Sequence, residues 1–239
     1  MSLVNATGNS KGRFLTDKEE YERTIASLES HGILKRKEVL RAFLSVPRWE
    51  FLPREAKGYA HIDTPIPIGH GQTTSALHMT AMFCEYGGMK LGQKVLEVGG
   101  GCGYMSCVYA EVVAPKDAKQ DQWGHVWSVE IVKELAESAK QSIERTGYGD
   151  RVTMIYGDAS EGLPEHAPYN VIVVTSAAPD VPKPMIEQLA PNGVLLIPIG
   201  GPHLYQELLR IGKSDGGIEE ESIGGVAFVP MRGKRGWKG

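Results

Sequence analysis

Apolar residues recur along the chain with two different periods, and the change from one to the other predicts a layered α/β architecture. The run "DKEEYERTIASLESHG" carries helical spacing, with a capping-box start at Thr16 and Glu19 and a glycine stop at Gly32. "KRKEVLRAFLSV" continues the pattern to Pro47, so two helices are expected between about Asp17 and Glu50. From Pro53 to Thr74 the periodicity fails. "YAHIDTPIPIGHGQTTS" holds Pro65, Pro67, Gly69 and Gly71, and a loop of that length is expected to be functional rather than a mere connection. Helices and strands then alternate. "ALHMTAMFCEYGGM", "GYMSCVYAEVVA" and "IVKELAESAKQSIERTG" read as helices, and "KVLEVG", "HVWSVE", "RVTMIYGD" and "YNVIVVTSA" as strands. These strand runs are almost continuously apolar, as expected where helices cover both faces of a parallel sheet. The fold class is therefore α/β, a doubly wound, mostly parallel Rossmann-like sheet with an added N-terminal helical region. "PMIEQLAPNG" predicts a short helix stopped by its glycine. "GVLLIPIG", "YQELLRIGK" and "GGVAFVPM" follow as strands with close turns, an antiparallel C-terminal edge. A single domain over 1–239 is expected, with helices and loop to residue 75, a core over 76–200, and strands and tail from 201.

Composition narrows the partners. The 239 residues are 41% hydrophobic and 23% charged, an ordinary globular balance, and a formal charge of -3 gives no basic field to attract a nucleic acid. The basic end, "MRGKRGWKG", reads as a solvated tail. The 3 cysteines, Cys84, Cys102 and Cys107, form no C-x-x-C pair, which argues against a disulfide framework or zinc ribbon and for a reducing compartment. No window approaches the ~18 apolar residues of a membrane span. A soluble, cytoplasmic protein with no membrane partner is expected. His61, Asp63, His70 and His78 cluster in or near the long loop, but their spacing is unlike a zinc pattern, and no metal is expected.

The stretch with the most chemistry is "VLEVGGGCGY". In doubly wound sheets ligands lie beyond the carboxyl ends of the strands, where glycines let backbone approach them. The dinucleotide fingerprint G-x-G-x-x-G is not met, because Tyr104 stands at its last glycine. Glu97-Val98-Gly99-Gly100-Gly101-Cys102-Gly103 instead resembles the E/D-x-G-x-G-x-G motif of class I S-adenosylmethionine methyltransferases. That resemblance implies a cofactor loop at Gly99, Gly101 and Gly103, begun by Glu97. Glu130 ends the next strand, where an acid accepts from ribose hydroxyls, once "PKDAKQDQWG" is taken as a polar insertion. Asp158 and Ala159 end the third, and the resemblance places the acid against the adenine amino group. Glycines after a strand also make tight turns, and acids after a strand also favour a helix N-terminus.

Longer stretches carry a closer resemblance. "VPRWEFLP", "YAHIDTPIPIGHGQTTS", "APYNVIVVTSAAPDVP", "QLAPNGVLLIPIG" and "FVPM", with the glycine motif, are similar to the protein-L-isoaspartate (D-aspartate) O-methyltransferase family from about Val46 onward. The resemblance implies transfer of a methyl group from S-adenosylmethionine to the free carboxylate of L-isoaspartyl residues, with D-aspartyl residues as a further acceptor, in damaged proteins. The ester then closes to a succinimide. Ser75 matches the family's active-site serine, with Thr73 and Thr74 lining the cofactor, and Asp63 matches a family position without an assigned role. Taken alone, Ser75 also reads as the cap of the helix that follows.

Several positions depart from the family pattern. Gly100 and Cys102 replace a threonine and a serine, Leu77 a proline, Ala159 a glycine and Asn170 an acid. Two other readings remain beside the leading one, a methyltransferase for another acceptor and a module that binds S-adenosylmethionine without transferring methyl. Nicotinamide chemistry is a distant further reading.

Overall fold

The computed structural model describes residues 17–202 and 205–238, so Thr16 of the expected capping box lies outside it. Two helices open the described chain, α1 (Asp17–Ser30) and α2 (Lys37–Ser45). The long loop is not featureless: it holds short 3₁₀ turns and a small hairpin of β1 (Ile66–Gly69) with β2 (Gln72–Thr74), ahead of α3 (Leu77–Tyr86). Then come β3 (Lys94–Val98), α4 (Tyr104–Val113), β4 (His125–Glu130), α5 (Lys133–Arg145), β5 (Val152–Tyr156) and β6 (Tyr169–Val174). The chain continues through α6 (Lys183–Glu187), β7 (Leu189–Ile199), β8 (Gln206–Ser214) and β9 (Gly217–Val226).

Among the described residues, seven strands form one sheet in the order β5-β4-β3-β6-β7-β8-β9. β3 to β7 pair in parallel, and β8 and β9 add antiparallel at one edge. Period-two alternation sends successive residues to opposite faces. Val95, Val171, Val173, Val194 and Leu196 join the core on one side, while Leu96, Val98, Ile172, Val174, Leu195 and Ile197 join the core on the other. Both faces are therefore covered, which is why these strands read as nearly continuous apolar runs. From β3 the chain winds outward to β4 and β5, then returns to β6 on the other side of β3. The switch point between β3 and β6 opens a crevice at the carboxyl ends of the strands.

Two elements differ from expectation. Gly193 does not stop α6, which ends at Glu187; it lies inside β7, beside Asn192 at φ 59°. A Cβ on Gly193 would stand 2.8 Å from the Ala190 carbonyl and 2.9 Å from that of Tyr169, so the "PNG" turn is a bulge that needs glycine. The last strand is also not "GGVAFVPM" but the polar segment before it, with Glu219, Glu220 and Glu221 on an edge that faces water. The apolar residues after Val226 leave the sheet and cross the strand ends.

The basic C-terminal run is docked rather than solvated. Ala177 N–H donates to Val229 O at 2.9 Å and Met231 N–H to Ala177 O at 2.8 Å. Trp237 Nε1 donates to Ala177 O at 3.0 Å, and Lys234 and Arg235 pair with Glu161 at 2.7 and 3.0 Å. No described helix is long and apolar enough to cross a membrane.

Candidate functional site

The glycine turn after β3 is folded by its own backbone. Gly99 and Gly100 N–H both donate to Val129 O, at 2.8 and 3.1 Å, which ties the turn to the neighbouring strand. Gly99, Gly101 and Gly103 all have positive φ, 96°, 55° and 84°. Their surroundings differ. Gly99 and Gly101 line the cleft at the switch point, whereas Gly103 begins α4 and would press a Cβ against Ile143 and Ala139 of α5. Gly103 therefore serves helix packing. Gly100, where the family usually has threonine, would bring a Cβ within 2.2 Å of Ser128 Oγ, so Ser128 fills the space that a larger residue needs.

Glu130 ends β4 and is 5% exposed. One carboxylate oxygen accepts from Gly101 N–H at 2.8 Å and the other from Val132 N–H at 2.9 Å, so the acid holds the glycine turn while facing the cleft. Asp158 also lines the cleft, accepting from Ser160 N–H and Lys234 N–H, each at 2.8 Å. Partial burial opposes its charge, but these hydrogen bonds outweigh that and hold its carboxyl below the usual range. Ala159 completes this wall.

Glu97 does not reach the cleft. It points into the core on the Val95 face, fully buried, and accepts from Ser128 Oγ at 2.7 Å and from Ser106 Oγ. Burial pushes its carboxyl up to about 7, against the pull of the two serine hydroxyls and with a further push from the Glu130 charge. The folded protein therefore binds more protons than the unfolded chain between about pH 4.5 and 7, and stability falls as pH rises through that window. Glu97→Gln is expected to flatten this profile and to gain up to about 3 kcal/mol on the wild type at pH 8, with little difference below the window. Thermal melts of the two proteins at pH 4.5 and 8 check it; parallel profiles would refute it.

A second cleft adjoins the first and shares Thr73, Thr175 and Val229 with it. Ser75 lies here with Pro65, Ala76, Met79 and Phe228, and among the described residues no lysine, arginine, histidine or carboxylate lines it. Ser75 is not the helix cap: Ala76 is, and no side chain caps α3 there. Asp63 supplies the local order instead, accepting from His78 N–H and sharing a hydrogen bond with His78 Nδ1, both at 2.9 Å. The other two loop histidines lie elsewhere, His61 at 3.4 Å from Glu20 and His70 in the turn between β1 and β2. Thr73 lines both clefts, but Thr74 turns away. It is buried, and its hydroxyl bonds the Cys102 thiol, which burial pushes up and away from the reactive thiolate.

Sequence reasoning missed Gln72, Thr175 and Arg232, which also line the first cleft. Thr175 directly follows β6, and its hydroxyl donates to Gly99 O at 2.6 Å and Val98 O at 3.0 Å. Its position after an apolar strand was the available signal. Asn170, the departure from an acid, accepts from Lys94 N–H at 2.8 Å and so still anchors the start of β3.

The first cleft suits a nucleoside bearing a positive centre, with two carboxylates, hydroxyls and bare glycine backbone around it. With this sheet order, such a cleft places the molecule among the class I S-adenosylmethionine-dependent methyltransferases. The chain belongs to the protein-L-isoaspartate (D-aspartate) O-methyltransferase family, whose model matches residues 19–236. It is 49% identical over 221 residues to the protein-L-isoaspartate O-methyltransferase of Hyperthermus butylicus, covering 92% of each chain. To the enzyme of that name from Pyrococcus horikoshii it is 46% identical, covering 92% of this chain and 96% of the relative. A solved protein-L-isoaspartate O-methyltransferase superposes with a TM-score of 0.79 at 31% identity, over 90% of this chain and 67% of its own. A Plasmodium falciparum structure in complex with S-adenosyl-L-homocysteine superposes with a TM-score of 0.75 at 26% identity, over 87% and 96%.

Proposed function

We propose that this enzyme transfers the methyl group of S-adenosylmethionine to the free carboxylate of L-isoaspartyl residues in damaged polypeptides, with D-aspartyl residues as a further acceptor. The observation that carries this reading is the Ser75 cleft, which shares a wall with the first cleft and, among the described residues, is lined by hydroxyls and apolar groups without a base. A carboxylate is already ionised at neutral pH, so its methylation needs no proton removed. When bound, the cofactor supplies a methyl group activated by its sulfonium.

The chain supplies position and dryness. The Ser75 hydroxyl donates to the acceptor carboxylate and turns one oxygen toward the shared wall at Thr73 and Thr175. Pro65, Met79, Phe228 and Val229 exclude water around it. In the adjoining cleft Glu130 would accept from the ribose hydroxyls, Gly99 and Gly101 would let the backbone approach the cofactor, Asp158 and Ala159 would border its adenine, and Thr73 lines both clefts. Thr74, Glu97 and Gly103 support this surface from behind. The methyl ester that leaves closes without the enzyme to a succinimide, the following backbone amide nitrogen displacing the methoxy group as methanol, and the ring hydrolyses partly to a normal aspartyl residue. Three free, buried cysteines agree with a cytoplasmic setting.

Transfer of radiolabelled methyl to an isoaspartyl peptide and its aspartyl twin tests the proposal. Label on the isoaspartyl peptide alone is expected. Label on both would indicate another acceptor chemistry, and label on neither despite cofactor binding would indicate a binding module. Ser75→Ala is expected to lower kcat by ~10- to 10²-fold through loss of one hydrogen bond to a charged group, with S-adenosylhomocysteine affinity unchanged by calorimetry. Unchanged turnover would remove Ser75 from the mechanism.

A further inference from the structure

Arg48 and Arg151 are the two arginines of the described chain buried almost completely, at 0% and 1% exposure. Their partners differ in kind. Arg151 faces a carboxylate, whereas the Arg48 guanidinium is spent on main-chain carbonyls. It sits on a single 3₁₀ turn, Arg48–Glu50, just after α2. Nη1 donates to Ala60 O at 3.2 Å and Ile62 O at 2.9 Å; Nη2 donates to Thr64 O at 3.3 Å and Ser75 O at 2.8 Å. The Tyr104 ring, at the start of α4, lies 5.6 Å from the guanidinium carbon.

A buried cation with no carboxylate in direct ion-pair contact, only the more distant charge of Asp63, and with its Nε unpartnered is costly, and its retention asks what the cost secures. The carbonyls it gathers belong to the irregular stretch from Ala60 to Thr64 and to the residue just before α3. Backbone groups there lack a ladder to satisfy them, and one planar fork does so across a sequence gap. Asp63 fastens the same stretch to His78 in the first turn of α3. Ser75 is thus held through its own carbonyl on one side and through the helix on the other. Arg48 lines neither cleft.

We propose that Arg48 is a positioning residue for methyl transfer: by tying the Ser75 carbonyl to the loop at residues 60–64, it sets the direction of the Ser75 hydroxyl in the substrate cleft. This rests on the function proposed above. Lysine cannot replace it, because a compact ammonium has no fork to span four carbonyls.

The test combines exchange, kinetics and a double mutant. In Arg48→Lys, amide hydrogen exchange is expected to quicken over residues 60–75 and to stay unchanged in α4 and α5. With an isoaspartyl peptide, kcat is expected to fall by about tenfold or more, the scale of a slightly misplaced reacting group, while S-adenosylhomocysteine affinity holds within about twofold. If Arg48 acts through Ser75, adding Arg48→Lys to Ser75→Ala costs little more than Ser75→Ala alone. Arg151→Lys serves as the control, with a lower Tm and unchanged kcat/KM below it. Additive losses in the double mutant, unchanged exchange in the loop, or turnover lost only in step with cofactor affinity would each overturn the proposal.

A wild-type measurement guards against a variant that fails to fold. With arginine-selective nitrogen-15 labelling, the Arg48 guanidinium signals are expected to shift on adding isoaspartyl peptide and not on adding S-adenosylhomocysteine alone; signals indifferent to the peptide count against the role. A wild type that leaves isoaspartyl peptide unmethylated defeats the proposed function alone, since the exchange data still judge the tie to the loop.

Discussion

Glu130→Ala is expected to weaken S-adenosylhomocysteine binding by ~10²- to 10⁴-fold while the protein still folds, because the acid does two things at one place. In the free protein its oxygens accept from Gly101 N–H and Val132 N–H at 2.8 and 2.9 Å, which fixes the glycine turn against the start of α5. Hydrogen bonds from backbone N–H to a carboxylate are charge-assisted, worth roughly 1.5–3 kcal/mol each. Removing the carboxylate frees Gly101, whose φ of 55° then has less to hold it, and also takes away the acceptor proposed for the ribose hydroxyls. Binding must then supply the order that the free protein already had. Glu130→Gln is expected to fall between wild type and alanine, since its amide keeps one acceptor but turns an NH₂ toward a backbone N–H. Titration calorimetry with S-adenosylhomocysteine, with circular dichroism to confirm folding, decides the matter. Affinity within a few-fold of wild type would show that the turn is set by Val129 O alone.

The central sheet was legible because its physics is one-dimensional: a strand covered on both faces is apolar at most positions, and β3, β4, β6 and β7 are largely written that way. That Gly99, Gly101, Glu130 and Asp158 share one cleft was legible for a related reason, since all sit at or just beyond strand ends, where sequence position fixes spatial position. What the sequence hid depends on contacts between distant segments. β9 is polar because one edge faces water, so only its pairing with β8 identifies it. The basic tail looks solvated, yet Lys234 N–H meets Asp158 and Arg235 N–H meets Ser160, backbone bonds that no residue type announces. Thr73 and Thr74 are neighbours of the same chemistry, and only the alternation of β2 sends one to the clefts and the other to Cys102. Glu97 shows the same limit: its place in the motif is correct, but strand alternation turns it into the core.

Arg151→Met should cost about 3–5 kcal/mol of stability, the range for breaking a buried ion pair and leaving the other charge uncompensated. Arg151 Nη1 reaches Glu111 Oε2 at 3.0 Å and Ala114 O at 2.9 Å, and Nη2 reaches Gly147 O at 3.1 Å. Its guanidinium carbon lies 4.3 Å from the Tyr148 ring and 5.3 Å from that of Trp123. One side chain therefore joins the end of α4, the turn after α5, and the polar insertion between α4 and β4. Trp123 closes that insertion on itself by donating to Pro115 O at 3.0 Å. Methionine fills much of the volume and keeps the apolar contacts, so the loss isolates the charge. Glu111, 4% exposed, then loses its cationic partner and keeps only the hydrogen bond with the Tyr148 hydroxyl. A double variant with Glu111→Leu should recover much of the loss, because removing both charges removes the desolvation cost as well. Denaturant melts of the two variants check both statements. The clefts lie at the opposite ends of the strands from this cluster, so cofactor affinity measured well below the melting temperature should not change. A fall in affinity matching the fall in stability would mean instead that the insertion and the glycine turn respond to one another through α4.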